Sequence, residues 1–181
     1  MSKVNIFLAN GFEEIEALTV VDILRRGGVE VSMVSVTGQL EVTGSHHITV
    51  KADCLFEDME AAQALVLPGG IPGTPNLKAH EGLCALLRAH YEAGKMLAAI
   101  CAAPTVFGAL GFLEGRTATC FPGMEDGLVG ATHSTQKVVV DGNVVTSRGM
   151  GTAMDFGLKL LELLKDEETA KALAHKIVYE Q

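Results

Sequence analysis

A chain of 181 residues, 48% hydrophobic and 20% charged, can bury one substantial core and leaves no room for a second domain, so residues 1–181 are expected to fold as one unit. Its formal net charge of -8 argues against a nucleic-acid backbone as the main partner, because such proteins carry a clustered basic footprint. The four cysteines, at 54, 84, 101 and 120, form no C-x-x-C pair, which points away from a disulfide framework and toward reduced thiols in the cytoplasm.

In chain order, residues 3–9 are rich in Val, Ile and Phe and read as a buried strand, and 13–26 read as a helix ending at Arg25-Arg26 before Gly27-Gly28. Residues 30–36 return to strand pattern, giving the strand, helix, strand order of a parallel crossover. A small irregular hairpin is expected over 40–50; its His46-His47 pair lacks zinc-ligand spacing, and no metal site is expected there. A short strand over 64–67 is stopped by Pro68-Gly69-Gly70, and helices follow near 71–77 and over 81–93.

Residues 96–113 are uncharged and long enough to meet a crude membrane-span threshold, but Pro104, Gly108 and Gly111 break the run into a strand over 96–100 and a helix over 102–110. The apolar run at 4–9 is too short for a signal-peptide core. Further on, "VVVDGNVVTS" predicts a hairpin around Asp141-Gly142, Thr152 a cap for a helix through Leu164, and 167–178 a last helix. The expected architecture is α/β: a mainly parallel central sheet sandwiched between helices, with a hairpin or two attached.

In such sheets, sites form beyond the carboxyl ends of the strands, which singles out 10–16, 68–73 and 101–104. Cys101 stands at a strand-to-helix junction, where helix N–H groups favour a thiolate; it reads either as a nucleophile or as a small core residue. Glu16, Val20, Ile23 and Gly27 share one helical stripe, so the Glu16 carboxyl should be partly desolvated and able to hold or take a proton. Glu13 and Glu14 read as ordinary acids complementing a helix N-terminus. The N–H groups of Gly70 and Ala102 are candidates for holding an oxyanion.

The stretches "ANGFEEIEA", "VLPGG", "AAICAAP" and "TSRGMGTAMDF" resemble the ThiJ/PfpI family, in the branch of the parkinsonism-associated deglycase and its YajL-like bacterial relatives, over nearly the whole chain. The resemblance places the family's reactive cysteine at Cys101, its partner glutamate at Glu16 and its oxyanion-type amides at Gly70 and Ala102. It implies a flavodoxin-like three-layer sandwich with small hairpin additions, the fold shared by class I glutamine amidotransferases, and a homodimer. It also implies a cofactor-independent attack of the Cys101 thiolate on a small reactive carbonyl such as methylglyoxal, in the manner of glyoxalase III, with glycated protein as a further substrate.

Many members of this branch carry a histidine about twenty residues after the cysteine, where this chain has Phe121; Cys120, beside it, reads equally as a second thiol near the pocket or as a buried structural residue. Ala102 stands where the related peptidases have a histidine, and the one H-x-E, His90-Tyr91-Glu92, precedes Cys101, which weakens peptidase and amidotransferase readings. "GMGTAM" lacks the last glycine of a dinucleotide loop. The competing reading from a different class is a redox-sensing or chaperone-like stress protein in which Cys101 is oxidised.

Overall fold

Strand β1 (Lys3–Leu8) sends Val4, Ile6 and Leu8 into one apolar cluster and Phe7 into another, and every one of these side chains is fully buried. An alternating strand whose two faces are both apolar belongs at the centre of a sheet covered on both sides. The computed structural model, which describes residues 2–179, puts it there. Helix α1 (Glu14–Arg26) crosses over to β2 (Glu30–Ser35), which pairs with β1 in parallel. The hairpin of β3 (Glu41–Thr43) and β4 (Thr49–Lys51) stands outside the main sheet, and β5 (Cys54–Leu55) closes one edge.

The chain then moves to the other side of β1. Strand β6 (Ala64–Leu67) pairs with β1, helices α2 (Gly73–Ala79) and α3 (Glu81–Glu92) follow, and β7 (Met96–Ile100) pairs with β6. After α4 (Pro104–Ala109) and the short pair β8 (Thr117–Ala118) and β9 (Thr132–His133), strands β10 (Val138–Asp141) and β11 (Val144–Ser147) form the hairpin expected around Asp141-Gly142. The seven-stranded order is β10-β11-β7-β6-β1-β2-β5, and β10 alone runs antiparallel to its neighbour. This is the doubly wound, flavodoxin-like sheet expected.

Helices α1, α5 (Ala153–Leu164) and α6 (Glu167–Lys176) bury Val20, Ile23, Phe156, Leu161 and Leu173 on one face; α2 to α4 bury Leu77, Leu87 and Phe107 on the other. The uncharged run at 96–113 is divided between β7 and α4, and among the described residues no helix is long and apolar enough to cross a membrane.

Among the small differences from the expected elements, two have a clear local cause. The helix after Cys101 begins at Pro104 rather than 102, because residues 101–103 form a turn and the proline, with φ preset and no N–H to satisfy, occupies the first helical position. Thr152 precedes α5 but does not cap it: its hydroxyl bonds instead to the Gly149 backbone and to Ser147 Oγ, 2.7 Å away.

Candidate functional site

Chain direction across the sheet switches between β1 and β6, and such a switch leaves a crevice beyond the strands' carboxyl ends. Three loops meet there. The loop after β1 holds Gly11, Phe12 and Glu13, the loop after β6 holds Pro68, Gly69 and Gly70, and the turn after β7 holds Cys101. The Glu13 N–H donates to the Gly69 carbonyl at 2.9 Å, and the Gly73 N–H to that of Gly11 at 3.1 Å, so the first two loops are stitched together.

Cys101 takes a left-handed backbone conformation, φ 66°, which costs an L-residue with a side chain on the order of 1–3 kcal/mol and persists only when its surroundings enforce it. They do so from both sides: its N–H donates to the Ser147 carbonyl at 3.0 Å, and its carbonyl accepts the Phe121 N–H at 2.8 Å. The sulfur is thereby lifted off the end of the sheet and receives the N–H groups of Ala102 and Gly70.

Glu16 reaches the same point from the first turn of α1. It is 1% exposed, and its Oε2 accepts the Gly69 N–H at 2.9 Å. Gly69 has to be glycine, since a Cβ there would lie 2.6 Å from Cys101 Cβ and 2.7 Å from Glu16 Oε2. Gly70 has φ 98°, and a Cβ on it would run into the Gly11 carbonyl and the Glu13 N–H. The expected stripe also holds: Glu16, Val20 and Ile23 are all buried on the inner face of α1.

Burial pushes the Glu16 carboxyl up to about 7, the Glu13 charge adding to it against the hydrogen bonds from Cys101 and Gly69. Burial, followed by the Glu16 charge and the hydrogen bond to it, pushes the Cys101 thiol up to about 12, although the Ala102 and Gly70 N–H groups pull it down. The amides favour the thiolate, as expected, but α4 lies one short turn beyond the sulfur, and desolvation together with a neighbouring carboxylate outweighs them. Both shifts express one property, that this pocket accepts one negative charge readily and a second poorly. Between about pH 7 and about pH 12 the Glu16 and Cys101 pair holds a single proton. With the proton on the carboxyl, the sulfur is an anion held by two amides and hydrogen-bonded by the acid, ready to attack.

The cleft above the sulfur has a volume of about 550 Å³ and is lined by Glu13, Ser45, His46, Gly70, Ile71, Cys101, Ala102 and the segment from Phe121 to Met124. Phe121 presents a half-exposed ring to it. Cys120 is fully buried in the cluster under α4, and burial pushes its thiol up to about 11.

Glu13 and Glu14 are not solvated acids. Glu13 caps α1 by accepting the Glu16 N–H at 2.7 Å. Glu14 is buried and accepts the backbone N–H groups of His46 at 2.8 Å and Ile48 at 3.4 Å. One potential ligand atom from each of Glu13, Glu14 and His46 lies within 4.8 Å of the others. Glu14's oxygens are already engaged by N–H donors, so the trio is a hydrogen-bonded lock between α1 and the β3–β4 turn. Sequence patterning singled out the Gly69-Gly70 loop but missed this lock, because no spacing rule connects residue 14 with 46.

The chain matches the DJ-1/PfpI family over residues 2–163. It belongs to that family. It is 40% identical to DJ-1 homolog B of Arabidopsis thaliana, over 97% of this chain and 41% of that protein, and 41% identical to homolog A, over 92% and 43%. The chain thus spans less than half the length of these two relatives. It is 34% identical to a deglycase of Pyrococcus horikoshii, covering 90% of this chain and 99% of that one. Among solved structures, an oxidized Toxoplasma gondii DJ-1 superposes with a TM-score of 0.96 at 36% identity, and a Salmonella typhimurium DJ-1 superfamily protein with 0.95 at 34%, each over the full length of both chains.

Proposed function

We propose that this DJ-1/PfpI chain is a cofactor-independent enzyme that attacks small reactive carbonyls, α-oxoaldehydes such as methylglyoxal, with the Cys101 sulfur. The observation that carries the reading is the left-handed turn that holds Cys101 against the Glu16 carboxyl and under the Ala102 and Gly70 N–H groups. A thiolate paired with a protonated acid attacks an aldehyde carbon, and the acid supplies the proton that the new hydroxyl needs. The relative named as a deglycase supports a carbonyl-directed chemistry. The cleft is open, so an early adduct on an exposed protein side chain is a second substrate class. A homodimer is part of this proposal, formed through α1, whose Ile15 is 49% exposed.

Purified protein mixed with methylglyoxal should form lactate, read by NMR, and Cys101→Ser and Glu16→Gln should abolish it. Wild-type turnover that survives Cys101→Ser overturns the reading. A second reading, a redox sensor, is favoured by the Toxoplasma relative described as oxidized and by the exposure of this sulfur to the cleft. Selective sulfinate formation at Cys101 under peroxide, with no lactate, would select it.

A further inference from the structure

Converting a bound α-oxoaldehyde to a hydroxy acid moves a proton from one carbon to the next, which needs a base on the open side of the substrate. Glu16 lies buried behind the sulfur, held by the Gly69 N–H. Phe121, on the loop over the cleft, has a hydrocarbon ring that can neither take nor give a proton. The imidazole that lines this cleft comes from a different element, the turn between β3 and β4.

We propose that His46, oriented by Glu14, is the general base that moves this proton; the inference rests on the carbonyl-directed reading above. His46 Nδ1 lies 3.2 Å from Glu14 Oε2, 3.1 Å from Ser45 Oγ and 4.0 Å from Glu13 Oε1. An ionised carboxylate only accepts, so the Glu14 contact selects the tautomer with its hydrogen on Nδ1, in which the neutral ring carries its lone pair on Nε2. Glu14 is suited to that task. Burial pushes its carboxyl up, but the His46 backbone N–H, its own N–H, the His46 ring and the Ile48 N–H together outweigh burial and hold it below the usual carboxylate range. It therefore stays ionised as the acceptor. The turn itself is fixed to the site loop by the Ser45 N–H donating to the Phe12 carbonyl at 2.8 Å and the His46 N–H to Glu14 at 2.8 Å. His46, its side chain 71% exposed, lines the same cleft as Cys101.

The steps balance without an external oxidant. The sulfur bonds to the aldehyde carbon, and the proton of the Glu16 and Cys101 pair goes to the former carbonyl oxygen. His46 Nε2 then removes the hydrogen of that carbon, whose electron pair becomes a double bond to the neighbouring carbon, leaving an enediolate. Glu16 carries the hydroxyl proton from the first oxygen to the second, and the imidazolium delivers its proton to the second carbon. The first carbon is oxidised and the second reduced, by two electrons each. Water then displaces the sulfur from the thioester, releasing the 2-hydroxy acid and restoring the shared proton.

The test compares wild type with His46→Ala on three readouts: lactate formation, the rate of Cys101 alkylation by iodoacetamide, and rescue by free imidazole. Loss of a general base lowers kcat by about 100-fold or more. The alkylation rate should stay within about twofold, since it reports the pair beneath the cleft and an intact fold, and imidazole should restore part of the turnover through the vacated, exposed site. A kcat within about threefold of wild type, a loss shared by alkylation, or a loss that imidazole does not relieve overturns the role of His46 alone. A wild-type protein that makes no lactate overturns the underlying reading and this inference together.

Discussion

Replacing Glu16 by glutamine should stabilise the protein while disabling its thiol. The carboxyl is 1% exposed, and burial moves it from 4.5 to about 7. At ~1.4 kcal/mol per pH unit this corresponds to about 3 kcal/mol between the two ionisation states. Because the folded value lies above the unfolded one, the folded chain binds this proton more tightly. The stability it confers is fully present below about pH 4.5 and is lost as pH rises to about 7. Above that, wild type carries a constant penalty for a buried charge. Glutamine is uncharged, nearly isosteric and still able to accept the Gly69 N–H through its carbonyl oxygen. Urea unfolding in reducing buffer should therefore show the variant more stable than wild type by about 3 kcal/mol at pH 8 and by almost nothing at pH 4.5. A difference that does not change with pH, or a variant less stable than wild type at pH 8, would refute the desolvation argument. A site that maintains such a penalty trades stability for a proton acceptor next to its sulfur.

Alkylation of Cys101 should follow ionisation of the pair, rising with a midpoint of about 7 and gaining about tenfold between pH 6 and 8. In Glu16→Gln the midpoint should move to the ordinary thiol value of 9.0 or above, since burial remains and the acceptor is gone; a wild-type midpoint there would contradict the shared proton. Gly69→Ala puts a methyl 2.6 Å from Cys101 Cβ and 2.9 Å from the Ile100 carbonyl. The overpacking should cost about 1–3 kcal/mol in thermal or urea unfolding and displace the thiol enough to slow alkylation, whereas unchanged values on both would mean the loop yields freely. Ile15→Glu should convert the proposed dimer to monomer in sedimentation with little change in the chain's fold by circular dichroism; a wild type that sediments as a monomer removes the dimer from the proposal, and a variant that stays dimeric places the interface elsewhere.

The weak alternation of β1, the unbroken apolar runs of β6 and β7, the Arg25-Arg26-Gly27-Gly28 end of α1 and the Asp141-Gly142 turn are local patterns, and each was legible because it is written in neighbouring residues. The same spacings placed Cys101 at a strand end and Glu16 on the inner stripe, and the resemblance of four short stretches placed both in a family. Whether the thiol or the carboxyl holds the proton was beyond that reach. Desolvation depends on what the whole chain packs around a group, and here burial and one neighbouring charge outweigh two amide donors. The lock of Glu14 on the β3–β4 turn, and with it His46 at the mouth of the cleft, joins residues 32 positions apart. Only the folded sheet, with a hairpin turned back over the end of β1, brings that imidazole to the sulfur's cleft.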